Sequence, residues 1–143
     1  DLAKSLGLST YELTDSDPIK DIGETFDVAI DSTGSGDSFS LACRATRRQG
    51  RVLEMGIASQ PTVPFDLNIA MYRALTISMS MSSEYSSWDR ALNLMASGKY
   101  DPTPLTSLYS LDDWEKAFAD VHSRKALKAL ITPQDLSVLN QIK

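Results

Sequence analysis

The sequence Phe-Asp-Val-Ala-Ile-Asp-Ser-Thr-Gly-Ser-Gly, at positions 26–36, carries the clearest signal of the fold. Its first six residues are rich in apolar and β-branched side chains, and the Ser-Thr-Gly-Ser-Gly run that follows is typical of a turn, so we expect a buried strand. A helix is predicted next, capped by Asp37 or Ser38 and stopped at Gly50. Residues 51–57 then predict a second strand. A strand, a helix and a strand within about 30 residues indicate a right-handed unit with parallel strands.

Helices and strands are also predicted on both sides of this unit. A strand at 75–81 alternates apolar and polar side chains, which indicates an edge strand or one open face. The spacing after Ser110 predicts a helix whose Trp114, Ala117, Phe118 and Val121 face inward. The other predicted elements are a helix at 2–6, a short strand at 11–13, a helix at 18–22, a helix capped by Asp66, a helix ending at Gly98, strands at 105–109 and 128–132, and a tail helix at 134–143.

The composition limits the classes of protein. With 143 residues, 42% of them apolar, the chain is long enough for one compact core. A net charge of −5 repels a phosphate backbone and argues against nucleic-acid binding. No apolar run approaches the roughly 18 residues of a membrane span, and the first residues lack a secretion signal, so we expect a cytoplasmic protein without a membrane partner.

Residues that often carry chemistry are scarce. The single cysteine, Cys43, and the single histidine, His122, cannot form an internal disulfide or a His/Cys zinc cluster. We interpret Cys43 as a small packing residue and His122 as a favourable charge at a helix end, and Trp88 and Trp114 as core or interface residues. One basic cluster is interpreted as a solvated helix face, with a phosphate or an acidic partner as the alternative: Arg44, Arg47, Arg48 and Arg51.

Three turns follow the predicted parallel strands, at 31–36, 55–57 and 79–82. Ligands of doubly wound sheets bind outside the carboxyl ends of the strands, so backbone groups of these turns could contact a nucleotide. The alternative is that each glycine only makes its turn. The run from Gly34 to Phe39 also imitates the dinucleotide fingerprint, but Phe39 stands where a small residue is needed, and we reject it as the phosphate loop.

Taken in order, these segments resemble the second half of the cofactor domain of the medium-chain dehydrogenase/reductase family. The resemblance runs from Asp1 to Pro133 and is closest to the zinc-dependent polyol, sorbitol and threonine dehydrogenases. It implies an α/β fold, with the second half of a Rossmann-type doubly wound parallel sheet and the C-terminal return segment of a catalytic domain. The expected parts are a partial dinucleotide-binding domain at 1–83 and a helix-strand-helix-strand segment at 84–143. The matching segments are 26–34, 50–56, 75–77, 91–99, 104–105, 111–118 and 128–131.

The resemblance also implies a nicotinamide dinucleotide, NAD or NADP, across the strand ends. Ser32, Thr33 and Gly34 would lie near its ribose and nicotinamide. Lys128 aligns with a basic residue that can reach the pyrophosphate, although a solvated lysine is the plain alternative. Backbone contacts to the carboxamide would come from two further segments: Met55, Gly56 and Ile57, and Met79, Ser80 and Met81.

Several parts of the family pattern are not found between Asp1 and Lys143. Relatives often have a glycine where this chain has the segment 78–83. The phosphate-binding loop, the acidic ribose-binding residue and the zinc-bearing amino-terminal domain would all precede Asp1. We therefore expect zinc only in that preceding domain, no catalytic or metal-binding residue in this chain, and no activity of the chain alone.

The leading functional hypothesis is part of an NAD(P)-dependent dehydrogenase that oxidises a small secondary alcohol or polyol by hydride transfer. The alternatives are a zinc-free quinone or enoyl reductase of the same family, or a non-catalytic binding or oligomerisation module. The strand at Val28 is expected to leave an open edge that recruits a neighbouring strand. The strand at 75–81 is expected to pair with its counterpart in a second copy of the chain and so to form a homo-oligomer.

Overall fold

The computed structural model describes residues 2–11, 18–22 and 26–133. The chain divides into two compact units, Asp1–Ser82 and Ser83–Lys143, named here the first and the second unit. Within the described residues, no helix is long and apolar enough to cross a membrane.

The first unit contains a sheet of three parallel strands. These are β1 (Phe26–Asp31), β2 (Thr46–Glu54) and β3 (Thr76–Met79), in the order β1-β2-β3. Ala29 pairs with Val52, and Val52 pairs with Ile77, so the three strands lie side by side and point the same way. The predicted parallel unit is confirmed, and so is the edge position of the third strand.

Four helices accompany this sheet: α1 (Leu2–Ser5), α2 (Pro18–Ile22), α3 (Gly36–Ala45) and α4 (Leu67–Tyr72). The predicted cap of α4 is confirmed, because an Asp66 carboxylate oxygen accepts the backbone N–H groups of Asn68 and Ile69 at 3.1 and 3.3 Å. The helices α3 and α4 bury one face against the sheet. The buried core is Phe39, Cys43, Val52 and Ala70.

The predicted bounds around α3 are wrong. Ser35, not Asp37 or Ser38, precedes the helix, which ends at Ala45 rather than at Gly50. The chain enters β2 at Thr46, and β2 then bulges. Phe26 pairs with Thr46 but Val28 pairs with Arg51, so two residues along β1 correspond to five along β2. Arg47, Arg48 and Arg51 therefore lie on a strand, not on a helix face. The second strand begins and ends earlier than predicted, at Thr46 and Glu54, and the third is shorter than predicted, ending at Met79.

The strand β1 was expected to be buried, and it is not. Val28 is 52% and Ile30 61% exposed. Within the described residues β1 is an edge strand with β2 as its only partner, which confirms the expected open edge. Recruitment of a neighbouring strand stays a prediction. The strand expected at 11–13 and the helix expected at 134–143 lie outside the described residues, except for Tyr11, which has no regular structure.

The second unit combines two long helices with two parallel strands. The elements are α5 (Tyr85–Ala96), β4 (Thr106–Ser110), α6 (Trp114–His122) and β5 (Lys128–Thr132), with 3₁₀ turns at Thr103–Leu105 and Leu111–Asp113. Leu108 pairs with Leu130. The buried cluster is small and consists of Tyr109, Ala117 and Ala126.

The expected inward face of α6 is only partly correct. Ala117 is fully buried, but Trp114, Phe118 and Val121 are exposed, and so is Trp88 on α5. Helical spacing identifies an apolar face but not the surface that covers it, and a pair of short strands is too narrow to cover three large side chains. Trp88 and Trp114 are therefore not core residues, and their alternative interpretation as interface residues stays a prediction.

Candidate functional site

The carboxyl ends of β1, β2 and β3 come together at one edge of the first unit. Asp31, Glu54 and Met79 end these strands in register. Backbone hydrogen bonds continue beyond the strands, since the Met55 N–H donates to the Asp31 carbonyl at 2.8 Å and the Ser80 N–H to the Glu54 carbonyl at 3.0 Å. The three predicted turns therefore lie next to one another, at the edge where doubly wound sheets bind ligands.

Two glycines let the turns after β1 and β2 pack backbone against backbone. Gly34 has a φ of +73°, which favours glycine, and a Cβ on it would lie 2.5 Å from the Ile57 carbonyl oxygen. A Cβ on Gly56 would overlap the backbone of Gly34. The pair leaves no space for side chains between the turns and thereby fixes their separation.

An apolar cleft of about 260 Å³ opens beside these turns. Phe39 forms part of its wall and packs edge-on against Phe65, with ring centroids 5.0 Å apart and planes at 84°. The cleft is lined by Gly34, Ser35, Gly36, Phe39, Glu54, Gly56, Ala58, Val63, Phe65, Ile77 and Met79.

A second, more polar cleft of about 390 Å³ shares the glycine turn of the first. Its hydroxyl and amide groups come from Thr33, Ser59, Gln60 and Thr62. An apolar slot thus adjoins a hydroxyl-rich one, an arrangement suited to a ligand with one flat apolar ring and one polyhydroxylated part.

Asp31 fixes the turn after β1. Its carboxyl is 3% exposed and accepts the Ser38 hydroxyl at 2.7 Å, the Thr33 hydroxyl at 3.0 Å and the Thr33 N–H at 3.3 Å. Burial opposes ionisation, but the hydrogen bonds from Ser38 and Thr33 outweigh it and lower the pKa of Asp31. The Ser35 N–H then donates to the Thr33 hydroxyl at 3.1 Å, so the hydrogen bonds of the turn all lead back to the Asp31 carboxylate.

The pKa of Glu54 shifts in the opposite direction. Its Oε1 accepts the Gly56 N–H at 2.7 Å, and the side chain lines the apolar cleft. Burial and the neighbouring Asp31 carboxylate raise the pKa of Glu54. Sequence reasoning missed both carboxyls as site residues. The available signal was that two consecutive predicted strands carry an acidic residue near their ends.

Hydrogen bonds within the chain limit which backbone atoms of the predicted residues can contact a ligand. The N–H groups of Met55, Gly56 and Ser80 already have partners within the chain. The carbonyl oxygens of the turns are therefore the better candidates for a ligand that carries amide donors. Ser32, Thr33, Met55, Ile57, Met79 and Ser80 are exposed, and Gly34 and Gly56 are half-buried.

The remaining singled-out residues lie elsewhere. Lys128 is the exposed first residue of β5, in the second unit. Cys43 is fully buried, and burial raises the pKa of its thiol, which confirms its interpretation as a packing residue. Arg47 contacts Asp27 at 2.6 Å and Arg48 donates to the Tyr72 carbonyl. Across the described ranges, no three or more His, Cys, Asp or Glu side chains are grouped to hold a metal ion.

The parallel sheet, the glycine turns and the cleft at the strand ends define a Rossmann-type α/β unit. A family model described as zinc-binding dehydrogenase matches residues 1–97, and the chain belongs to that family. Sorbitol dehydrogenase of Halalkalibacterium halodurans is 26% identical over 140 residues, covering 93% of this chain and 41% of that protein. The predicted resemblance is confirmed.

Solved structures agree on the fold. Alcohol dehydrogenase TADH from Thermus sp. ATN1 is 26% identical, with a TM-score of 0.82 over 92% of this chain and 40% of that one. The 2R,3R-butanediol dehydrogenase from Bacillus subtilis has the same TM-score of 0.82 at 22% identity, covering 93% and 40%. The chain thus spans about 40% of the length of these relatives and corresponds to their C-terminal portion.

Proposed function

We propose that the strand-end turns of the first unit bind the nicotinamide side of NAD or NADP in a dehydrogenase that oxidises a secondary alcohol or polyol. The observation that carries the proposal is the apolar cleft at the ends of β1, β2 and β3, bounded by the Gly34 and Gly56 turns. The relatives named above, a sorbitol, an alcohol and a butanediol dehydrogenase, favour this proposal over a quinone or enoyl reductase.

The chemistry of the two clefts fits a nicotinamide nucleoside. A nicotinamide ring has two apolar faces, which suit Phe39, Ile77 and Met79, and a carboxamide whose NH₂ suits the turn carbonyls. Ribose hydroxyls suit the polar cleft around Thr33 and Gln60. The proposed binding residues are Ser32, Thr33, Gly34, Met55, Gly56, Ile57, Met79 and Ser80.

The bound nicotinamide would supply hydride acceptance, and the residues of this chain would orient it. Gly34 and Gly56 let the two turns pack together beside the cleft, and the apolar wall around Phe39 would shield the ring from water. The described residues do not fit zinc, because the lone cysteine is buried and no ligand cluster exists among them. No step on this chain is assigned to a metal.

Three further roles belong to the same proposal. Residues 1–83 would be the cofactor part and residues 84–143 the C-terminal segment of the catalytic domain. Lys128, exposed at the start of β5, would reach the pyrophosphate. The edge strand β3, with its exposed Met79, would pair with a second copy of the chain.

Amide NMR titration of the full chain with reduced nicotinamide mononucleotide tests the site, with AMP as the matched ligand. We expect the nicotinamide compound to shift the amides of residues 32–34 and 55–57 without saturating at millimolar concentration. AMP should leave them unchanged, because its adenine lacks the carboxamide and this chain is proposed to bind the nicotinamide side. Equal shifts with both compounds would contradict the proposal.

A pair of variants provides the protein control. Met79→Glu puts a charge on the cleft wall, whereas Met71→Glu makes the same change at an exposed α4 residue that does not line the cleft. We expect Met79→Glu to abolish the shifts and Met71→Glu to retain them. If both variants behave alike, the cleft is not the binding site.

A further inference from the structure

Asp31 and Glu54 place two carboxyl groups side by side at the ends of β1 and β2, and Glu54 lines the cleft. They are register partners at the ends of adjacent parallel strands, so their side chains point to the same face of the sheet. The two carboxyls are close enough to affect each other's ionisation, because Glu54 is among the causes that lower the pKa of Asp31 and Asp31 is among the causes that raise the pKa of Glu54. Two carboxylates side by side repel each other, and a proton shared between them removes that repulsion.

The surrounding donors decide which carboxyl holds the proton. Asp31 accepts two hydroxyl groups, from Ser38 and Thr33, and the Thr33 N–H. Glu54 accepts only the Gly56 N–H and lies against apolar cleft residues. Donors stabilise the ionised form, so Asp31 stays charged and Glu54 is the acid that donates to it.

We propose that Asp31 and Glu54 share one proton and that this hydrogen bond clamps the turn 55–57 to the turn 32–35, holding the cleft in its observed shape. Glu54 holds the second turn through the Gly56 N–H, and Asp31 holds the first through Thr33. Both are positioning residues. The clamp does not depend on the proposed cofactor, whereas its benefit to nicotinamide binding does.

The elements that pack around the pair offer few other charges. Strand β3 and the turn 55–57 contain no ionisable residue. The nearest hydrogen-bonding groups on α3 and the first turn are the hydroxyls of Ser38 and Thr33. The remaining ionisable residues on the adjoining elements are Asp27 on β1, Asp37, Cys43 and Arg44 on α3, Arg47, Arg48 and Arg51 on β2, and Asp66, Tyr72 and Arg73 on or beside α4.

The pKa shifts of Asp31 and Glu54 define the pH range in which the clamp is closed. The pKa of Asp31 lies below its ordinary 3.8, so its stabilising contribution is present above that value and is lost as pH falls through the folded pKa. The pKa of Glu54 lies above its ordinary 4.5, so its contribution is present below that value and is lost as pH rises through the folded pKa. The clamp therefore closes in mildly acidic solution and weakens as Glu54 ionises.

Carboxyl ¹³C NMR titration of the full unmodified chain tests the clamp without any variant. We expect Asp31 to titrate below and Glu54 above the ordinary value, and the Gly56 amide signal to move with the Glu54 titration. Asp31→Asn should return the Glu54 midpoint toward 4.5, because the neighbouring carboxylate is gone. Glu54 titrating at its ordinary value would overturn the proposal.

Glu54→Gln separates the clamp from a merely structural contact. A glutamine amide donates to Asp31 and accepts the Gly56 N–H at every pH. The stability of this variant to urea should therefore not fall between mildly acidic and neutral pH, whereas that of the wild type should. Glu84→Gln, at an exposed residue of the second unit, should keep the wild-type profile. Parallel profiles for Glu54→Gln and wild type would overturn the clamp.

The outcomes for the clamp and for the cofactor site are distinguishable. A clamp seen in the carboxyl titration with no shift by the nicotinamide compound refutes the proposed function alone. Nicotinamide shifts with an ordinary Glu54 titration refute the clamp alone. If both hold, the nicotinamide-induced shifts should weaken as pH rises through the Glu54 midpoint in the wild type and stay constant in Glu54→Gln.

Discussion

The two units bury their side chains to different extents. The first unit packs α3 and α4 against three strands and fully buries Cys43 and Val52. In the described part of the second unit, the buried cluster contains one tyrosine and two alanines, while Trp114 and Phe118 remain exposed. The third strand makes the difference, because two short strands alone cannot cover a helix.

The contrast extends to the glycine turns. In the first unit, two glycine turns are in backbone contact, and the strands before them end in register at a buried Asp31 and a half-buried Glu54. In the second unit, Gly98 has the same left-handed conformation, but a Cβ there would meet nothing within 4 Å. The candidate site thus depends on dense packing that the second unit lacks, and substitutions should be costly in one unit and mild in the other.

The largest effect is expected from alanine at a left-handed glycine of the first unit, Gly34, compared with one of the second, Gly98. Gly34→Ala adds a clash with the Ile57 carbonyl to the conformational cost, whereas Gly98→Ala incurs the conformational cost alone. We expect losses of unfolding free energy of about 3 kcal/mol for Gly34→Ala and about 1 kcal/mol for Gly98→Ala. Urea unfolding measures both. Equal losses would show that the turns of the first unit are not tightly packed.

Matched valine truncations compare the two cores. Val52 is 1% exposed and Val121 is 41% exposed. Val52→Ala should cost about 2 kcal/mol through lost packing and a cavity, and Val121→Ala less than about 0.5 kcal/mol. Both tryptophans lie in the second unit, so their fluorescence follows that unit, and circular dichroism follows the whole chain. A larger loss for Val121→Ala would reveal packing in the second unit that its exposure does not indicate.

The sequence predicted the parallel sheet because apolar β-branched runs and glycine turns are local signals. It also located the turns that form the site, since strand ends of parallel strands meet at one edge. It failed where the outcome depends on a partner in space. Whether Val28 or Phe118 is covered depends on neighbouring elements, and α3 ends at Ala45, where the chain enters β2, rather than at Gly50.

The carboxyl pair illustrates the same limit within the site. An acidic residue at a strand end is expected to be solvated, and only the register of β1 against β2 brings Asp31 beside Glu54. A shift by one residue would separate them and send one side chain to the opposite face. The hydroxyls that keep Asp31 ionised belong to Thr33 in the turn and to Ser38 on α3. Nothing in the spacing of these two residues predicts that they would bind Asp31.

A titrating group in the second unit offers a smaller test of the comparison. Burial, together with its hydrogen bond to Asp120 at 3.0 Å, raises the pKa of Tyr109. The stabilising effect of the neutral phenol is present below the ordinary value of 10.0 and is lost as pH rises through the folded pKa. Asp120→Asn should lower the Tyr109 midpoint in a ¹³C titration, and Asp112→Asn, an exposed carboxyl of the same unit, should not. An unchanged midpoint in Asp120→Asn would assign the shift to burial alone.

The smallest effect is expected at the end of the sheet opposite the site, where Arg47 and Asp27 join β2 and β1. Their contact of 2.6 Å is short, but the side chains are 50% and 77% exposed. Water and salt screen such a pair, so the double-mutant cycle of Arg47→Gln and Asp27→Asn should give a coupling of about 0.5 kcal/mol or less, decreasing with added salt. A coupling as large as the Val52→Ala loss would mean that the exposed end of the sheet stabilises the first unit as much as its core, and the contrast between the units would not come from burial.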